Sequence, residues 1–329
     1  MANYNTIRGL RVKYLSADPA NPENGQVWYN AGTGNLRVAS IGSSFSSMPT
    51  LNTGRQFVSG GGTTNASLIW AGSPGSGLTE GFNGSSWSVK TSLSTARENA
   101  TQGFGVSTAA VCSGGYVGGP GSTNATEEFN GSSWTGGGNM NLPVYASGGA
   151  GIESAGVKWG GDNLPGVRRT NATEEYNGSS WTTTGNLGSA NYYARGVGTQ
   201  TAALSIGGNP PGSPPVYTNL RIQYYDGSSW TLQPQSTNFA KTQGGTCGNQ
   251  TDAVYFGGAI NGPVTAIAES WDGSSWTNLS ATMATARNIF ATGGGNSTST
   301  SGYAAGGNGP TNAAEEFNGA QPVATLSTS

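Results

Sequence analysis

Three adjacent glutamate pairs, Glu127-Glu128, Glu174-Glu175 and Glu315-Glu316, come closest in this chain to an acid/base couple. Paired carboxylates of that kind carry out glycoside cleavage. Each pair sits in a short run of Thr, Phe and Tyr that reads as a β-strand. Neighbouring strand residues point to opposite faces, so one pair cannot act as a couple, and carboxylates from different parts of the chain would have to converge. Histidine is absent altogether. That removes Ser-His-Asp and Cys-His nucleophilic sites and histidine-bound metals together. The two cysteines, Cys112 and Cys247, are too few for a zinc site and read as small buried thiols. The glycine-rich stretches lie between strands rather than ahead of a helix, so no phosphate loop is expected. No metal and no cofactor are expected, and the chain reads as a non-enzyme.

Recognition chemistry remains. Arg168, Arg169, Tyr192, Tyr193 and Tyr217 fall close together in two consecutive segments. Tyrosine rings stack on sugar faces, and Asn and Ser side chains hydrogen-bond neutral hydroxyls. The net charge is −2 and no basic stripe is present, which argues against nucleic acid as a partner. No apolar run is long enough to span a bilayer.

These residues are positioned by a repeat. Asn171–Trp181 reads N-A-T-E-E-Y-N-G-S-S-W, and related phrases end at Trp87, Trp134, Trp230 and Trp276. The glycine of the Asn/Asp-Gly pair falls at Gly84, Gly131, Gly178, Gly227, Gly273 and Gly319, a period of about 47 residues. Each unit contains four short runs of β-forming residues and no helical period, the signature of a propeller blade. The Asn/Asp-Gly pair is expected to form a type I′ turn between the third and fourth strands. The tryptophan after it is expected to fill the gap between neighbouring blades. In the last unit Ala-Gln-Pro stands where Ser-Ser-Trp should follow the glycine, whereas Gly42-Ser43-Ser44-Phe45 matches the missing piece. The early segment should therefore supply the last blade's fourth strand. The expected fold is all-β: a six-bladed propeller over residues 42–329, closed by an N-terminal strand. Cys112 and Cys247, in the second and fifth units, would then face each other across the ring, too far apart for a disulfide.

Strand alternation puts the loops between second and third strands, and the crossovers between blades, on one face. Those loops vary in length, and the longest are Asp162–Asn171 and Asn209–Asn219. Insertions gathered on one face either mark a binding surface or reflect drift in unconstrained loops. Arg55, Arg97, Lys241 and Arg287 open the first strand of four units, where the third and fourth units have Val144 and Asn191. These cations are expected to pair with third-strand carboxylates such as Glu80, Glu128, Glu175 or Glu316 of a neighbouring blade.

Residues 1–41 lie outside the repeat. Arg8–Leu15 reads as a strand with basic residues on one face, and Gln26–Val38 as a hairpin. This small β module is either a cap on the ring or an attachment piece. In the second case Arg8, Arg11, Lys13, Trp28 and Tyr29 would make the attachment, and copies could associate through it.

With A-A-L-S-I-G-G followed by E-E-Y-N-G-S-S-W, the repeats resemble kelch-type blades, although the Tyr176-to-Trp181 interval is shorter than that pattern usually shows. They are more similar to kelch-like repeat proteins of marine phages, cyanophages among them, which share the phrases T-Q-T-A-A-L and T-E-E-Y-N-G-S-S-W. Asn21–Arg37 resembles a module of phage structural and tail proteins. The resemblance implies a virion component such as a tail fibre or head appendage, with other virion proteins as partners. On that basis the propeller would be displayed for host-surface glycan recognition. A decoration protein that binds only virion proteins and a glycan-cleaving propeller are the alternatives.

Overall fold

The third repeat shows how a unit is built. Strands Gly148–Ile152, Ala155–Trp159, Thr173–Tyr176 and Trp181–Thr184 pair antiparallel in chain order. Small residues in the first strand let neighbouring sheets approach: a Cβ on Gly149 would stand 2.5 Å from the Gln102 carbonyl of the preceding repeat. The structure is a computed structural model and describes residues 12–19, 27–38, 42–73, 75–119, 121–166, 169–211, 221–293, 297–319 and 324–325. Four-stranded antiparallel sheets of the same order span residues 59–90, 104–136, 195–236 and 245–282. No helix occurs among the described residues, so none is long and apolar enough to cross a membrane. The result is an all-β, propeller-like arrangement.

The last repeat's Ala314–Asn318 pairs antiparallel with Ser44–Met48, placing Phe317 opposite Phe45. Inner strands touch in chain order from Ser59–Thr63 through Phe104–Val106, Gly148–Ile152, Arg195–Thr199 and Gly245–Gly248 to Ser301–Ala305, which touches Ser59–Thr63 again. Backbone hydrogen bonds follow the same cycle. The Asn99 amide donates to Phe57 O, Ala146 to Asn99, Tyr193 to Ala146, Gln243 to Tyr193, Ile289 to Gln243, and Phe57 to Ile289. All six residues adopt left-handed φ, between 49° and 61°. This backbone costs non-glycine residues about 1 kcal/mol or more and persists only where surroundings enforce it.

That kink also shifts the strand starts. The run from Tyr192 to Val197 is expected to be extended, but the strand begins at Arg195, beyond the turn at Tyr193. The recurring cations accordingly lie in the crossover ahead of the strand. Their partners differ from expectation as well. Each binds a carboxylate of its own sheet: Arg55 to Glu80 at 3.0 Å, Arg97 to Glu127, Lys241 to Glu269 at 2.9 Å, and Arg287 to Glu315 at 2.7 Å. In the Glu-Glu pairs it is the first residue that points inward, so Glu128, Glu175 and Glu316 are not the cations' partners. Glu128 and Glu175 accept from the Tyr176 and Tyr225 hydroxyls of the following repeats, and Glu316 from Ser46.

The buried carboxylate also grips the crossover backbone. Glu80 accepts the Asn52 amide at 2.8 Å, Glu127 that of Ser94 at 2.7 Å, and Glu315 that of Ala284 at 2.7 Å. The cation in turn ties the loop between second and third strands, with Arg55 Nη1 donating to Ala71 O and Leu78 O at 2.9 and 2.7 Å. Burial lowers the pKa of Arg55, Lys158, Lys241 and Arg287, and the facing carboxylate opposes that shift. Where Val144 replaces the cation, Lys158 of the second strand supplies it, 2.8 Å from Glu174. In the fourth repeat both partners are neutral: Asn191 donates to Gly207 O at 2.8 Å and Gln223 accepts the Gly188 amide at 2.9 Å.

Outer-strand tryptophans pack between sheets as expected. The Trp134 indole donates to Thr79 of the preceding repeat at 2.9 Å, and Trp181 likewise to Thr126 at 3.0 Å. The expected type I′ turn is not what forms. The Asn83 amide donates to Ser86 O, so Gly84 and Ser85 are the central pair, and only Gly84 has positive φ (92°). Asn83 Oδ1 caps the turn by accepting the Ser85 and Ser86 amides at 3.0 and 2.9 Å. This is an Asx turn, which explains the fixed Asn/Asp-Gly-Ser-Ser phrase.

In the N-terminal module, Lys13–Leu15 pairs parallel with Val27–Asn30, and Val27–Asn30 pairs antiparallel with Asn35–Val38. Ala324–Thr325 adds to Asn35–Val38, so these two residues belong to this sheet rather than to the repeats. Asp18 holds the module together, accepting from Trp28 Nε1 at 2.9 Å, Asn30 Nδ2 at 2.7 Å and Arg37 Nη2 at 2.6 Å. The three bonds, Asn30 first, keep the Asp18 carboxyl below its usual pKa.

Glu127→Gln leaves Arg97 buried without its counter-charge and should cost about 3–5 kcal/mol in denaturant unfolding. Amide bonds from Ser229 and Ser228 push Asp226 down to about 2. A folded-state pKa below the unfolded one gives stability that is present above the ordinary carboxylate range and lost as pH falls through about 2. Thermal melts between pH 4.5 and 2 should therefore show a steeper loss for the native protein than for Asp226→Asn, which copies Asn83, Asn130 and Asn177.

Candidate functional site

The face that carries the crossovers and the loops between second and third strands holds four half-exposed tyrosines. Tyr145 and Tyr192 occupy equivalent positions, each directly after the cation site, and pair with their own loops through Asp162 and Asn209. The next residue turns left-handed, which in the fourth repeat presents Tyr193 beside Tyr192 with ring centroids 4.5 Å apart. Tyr116 lies 5.9 Å from Tyr145. Burial raises the Tyr193 pKa, and the neighbouring Tyr192 and Tyr145 hydroxyls add to the shift. Tyr116, Tyr145, Tyr192 and Tyr193 thus form one arc across three repeats, each ring partly exposed. A cleft of about 390 Å³ adjoins the Tyr116 end, lined by Ser73, Glu98, Tyr116 and Val117 among others.

The long loops are locked to one another around this arc. The Ser122 amide and hydroxyl both donate to Leu164 O at 2.9 Å, joining the second and third repeats' loops. Arg169 joins the third to the fourth by donating to Pro210 O and to Asn209 Oδ1 at 3.4 Å, and its guanidinium stacks 4.5 Å above the Tyr192 ring. A guanidinium held over an aromatic face is favourable and orients both groups.

Of the five residues expected in a ligand site, Arg169, Tyr192 and Tyr193 come together, whereas Arg168 and Tyr217 lie outside the described residues. Tyr116 and Tyr145 escaped the sequence argument. Tyr145 was detectable in principle, since it follows Val144 as Tyr192 follows Asn191. Among the attachment residues, Arg8 and Arg11 lie outside the described set. Trp28 is fully buried and bonded to Asp18, so its indole builds the module and does not face a partner. Lys13 is exposed, and Tyr29 stacks at 4.5 Å on Tyr14, which is 76% exposed.

The described residues contain no cluster of three or more Cys, Asp or Glu side chains able to hold a metal ion. The inward carboxylates are committed to cations and backbone amides. Cys112 and Cys247 are both free and buried. Desolvation pushes Cys112 up to about 11 and raises Cys247 further. Comparison with protein-family models and with curated proteins finds no match to this chain.

Neither thiol should react with a disulfide reagent at pH 8 in the folded protein, and both should react in denaturant. Rapid modification of either in native buffer would contradict the burial.

Proposed function

We propose that this chain is a six-bladed kelch-like β-propeller, closed by its early strand, that serves as a non-enzymatic appendage protein of a phage particle. Its loop face binds a host-surface glycan, and the N-terminal module fastens it to other virion proteins. The observation that carries the binding reading is the arc of Tyr116, Tyr145, Tyr192 and Tyr193, with Arg169 stacked on Tyr192. Partly exposed rings fixed by interlocked loops lose little freedom when a sugar stacks on them, and such preorganisation favours affinity. The six-fold closure is supported by the cycle of amide bonds through Phe57, Asn99, Ala146, Tyr193, Gln243 and Ile289. The virion assignment rests on the resemblance of the repeat phrase and of Asn21–Arg37 to phage proteins. In the module, exposed Lys13 and Tyr14 offer surface for attachment and for assembly of several copies.

A glycan array probed with the full chain should give binding that is lost in the Tyr145→Ala, Tyr192→Ala double variant, with the melting temperature little changed. No glycan binding, combined with stable incorporation into particles, would favour a decoration protein instead. Release of reducing sugar from host envelope would replace both readings with an enzyme.

A further inference from the structure

The cleft at the Tyr116 end of the arc contains an acid with no role so far. Glu98 lines it together with Ser73 and Gly75 of the first repeat and Tyr116, Val117 and Gly118 of its own. Its volume, about 390 Å³, lies within the range of small-molecule sites, about 300–1,000 Å³. The fold sets the position of the acid. Glu98 follows Arg97 as Tyr145 follows Val144 and Tyr192 follows Asn191, so it stands in the second repeat where the next two carry a ring. Its backbone pairs with that of Tyr116: the Glu98 amide donates to Tyr116 O at 3.0 Å, and the Tyr116 amide donates to Glu98 O at 2.7 Å. Residues directly opposite in an antiparallel pair project from the same face with Cβ atoms about 5 Å apart, which places the Glu98 side chain beside the Tyr116 ring. That ring leads on to Tyr145, 5.9 Å away.

The other acids on this side of the sheets are spoken for, and this one is not. Among the described residues the Glu98 carboxylate makes neither a hydrogen bond nor an ion pair. Its neighbour in the chain, Arg97, is buried and committed to Glu127. Both oxygens of a half-buried carboxylate therefore stay open, and an ionised carboxylate can only accept hydrogen bonds. The cleft also has space to spare at its walls. A Cβ on Gly75 or on Gly118 would meet nothing within 4 Å.

We infer that Glu98 is the acceptor that orients a neutral sugar in this cleft, taking hydrogen bonds from two adjacent ring hydroxyls while the pyranose lies against Tyr116. The inference rests on the glycan reading and deepens it: the rings hold the sugar face, and Glu98 requires that the sugar present a vicinal diol. Hydroxyls that donate to a carboxylate make charge-assisted bonds, which are stronger than neutral ones. A sugar seated over the cleft excludes water from them and strengthens them further. An ammonium group fits less well, since an ion pair with one half-exposed carboxylate contributes little and is screened by salt.

The test is affinity electrophoresis of the full chain through gels containing mannan, galactan or dextran, neutral polymers that carry vicinal hydroxyls. At least one should retard the protein, independently of salt, and periodate cleavage of its diols should abolish the effect. Glu98→Gln keeps the size of the side chain but removes its charge and one acceptor. It should weaken retention roughly tenfold, as expected for loss of a charge-assisted bond, with the melting temperature unchanged. Gly75→Trp, which fills open space, should abolish retention. Full retention of both variants by a polymer that the Tyr145→Ala, Tyr192→Ala variant no longer binds overturns the Glu98 site and leaves the glycan reading standing. Retention that needs an amino-sugar polymer such as chitosan and falls with salt overturns the diol assignment. Retention by none of the three neutral polymers overturns it too, and the glycan reading falls with it only if the array is also blank.

Discussion

The structure depends on a buried carboxylate that must be matched. In five of the repeats a glutamate on the third strand is taken out of water and is held by one cation and by crossover amides. The pair ties the incoming crossover to the end of the second strand and the start of the third, which the sheet's own ladder already joins to each other. The constraint is chemical rather than positional. Lys158 reaches Glu174 from the second strand when Val144 cannot, and Asn191 with Gln223 does the same work without charge. What is kept is the hydrogen-bond pattern; which residue carries the positive charge, or whether any does, varies.

The same arrangement explains why one face is free to specialise. Crossover and loop backbones are anchored from beneath, so the residue directly past the cation site, one ahead of the left-handed residue, can present its side chain outward. Tyr145 and Tyr192 occupy that position in two adjacent repeats, while Gln56 and Asn288 hold it elsewhere. The opposite face has no such latitude, because its turn residues are consumed by the Asx cap of Asn83, Asn130, Asn177, Asp226 and Asp272.

Period and composition made the strand order, the packing of the tryptophans and the pairing of Phe45 with Phe317 legible in the sequence. They could not reveal which glutamate of a pair points inward, since that depends on strand register, and register slips by one residue without changing the pattern. Nor could they show the left-handed turn at Tyr193, which tertiary hydrogen bonds impose on a residue with no local preference for it. For the candidate site, Arg169, Tyr192 and Tyr193 could be proposed from their neighbourhood in the chain. Tyr145 could have been found by its place after Val144, whereas Tyr116 needed the loops in place.

Pairing of Ser44–Met48 with Ala314–Asn318 joins segments far apart in sequence, with Ser46 and Glu316 separated by 270 positions. The earlier strand leaves the ribosome with its hydrogen-bonding edge open and must wait for all the intervening repeats before its partner exists. Exposed strand edges of this kind invite pairing with other copies, and contacts so distant in sequence slow folding. The hydroxyl-rich segment Gly42–Met48 has no charge to blunt that edge in the interval, and the outer strand of the last sheet is in place only once Ala314–Asn318 has been made.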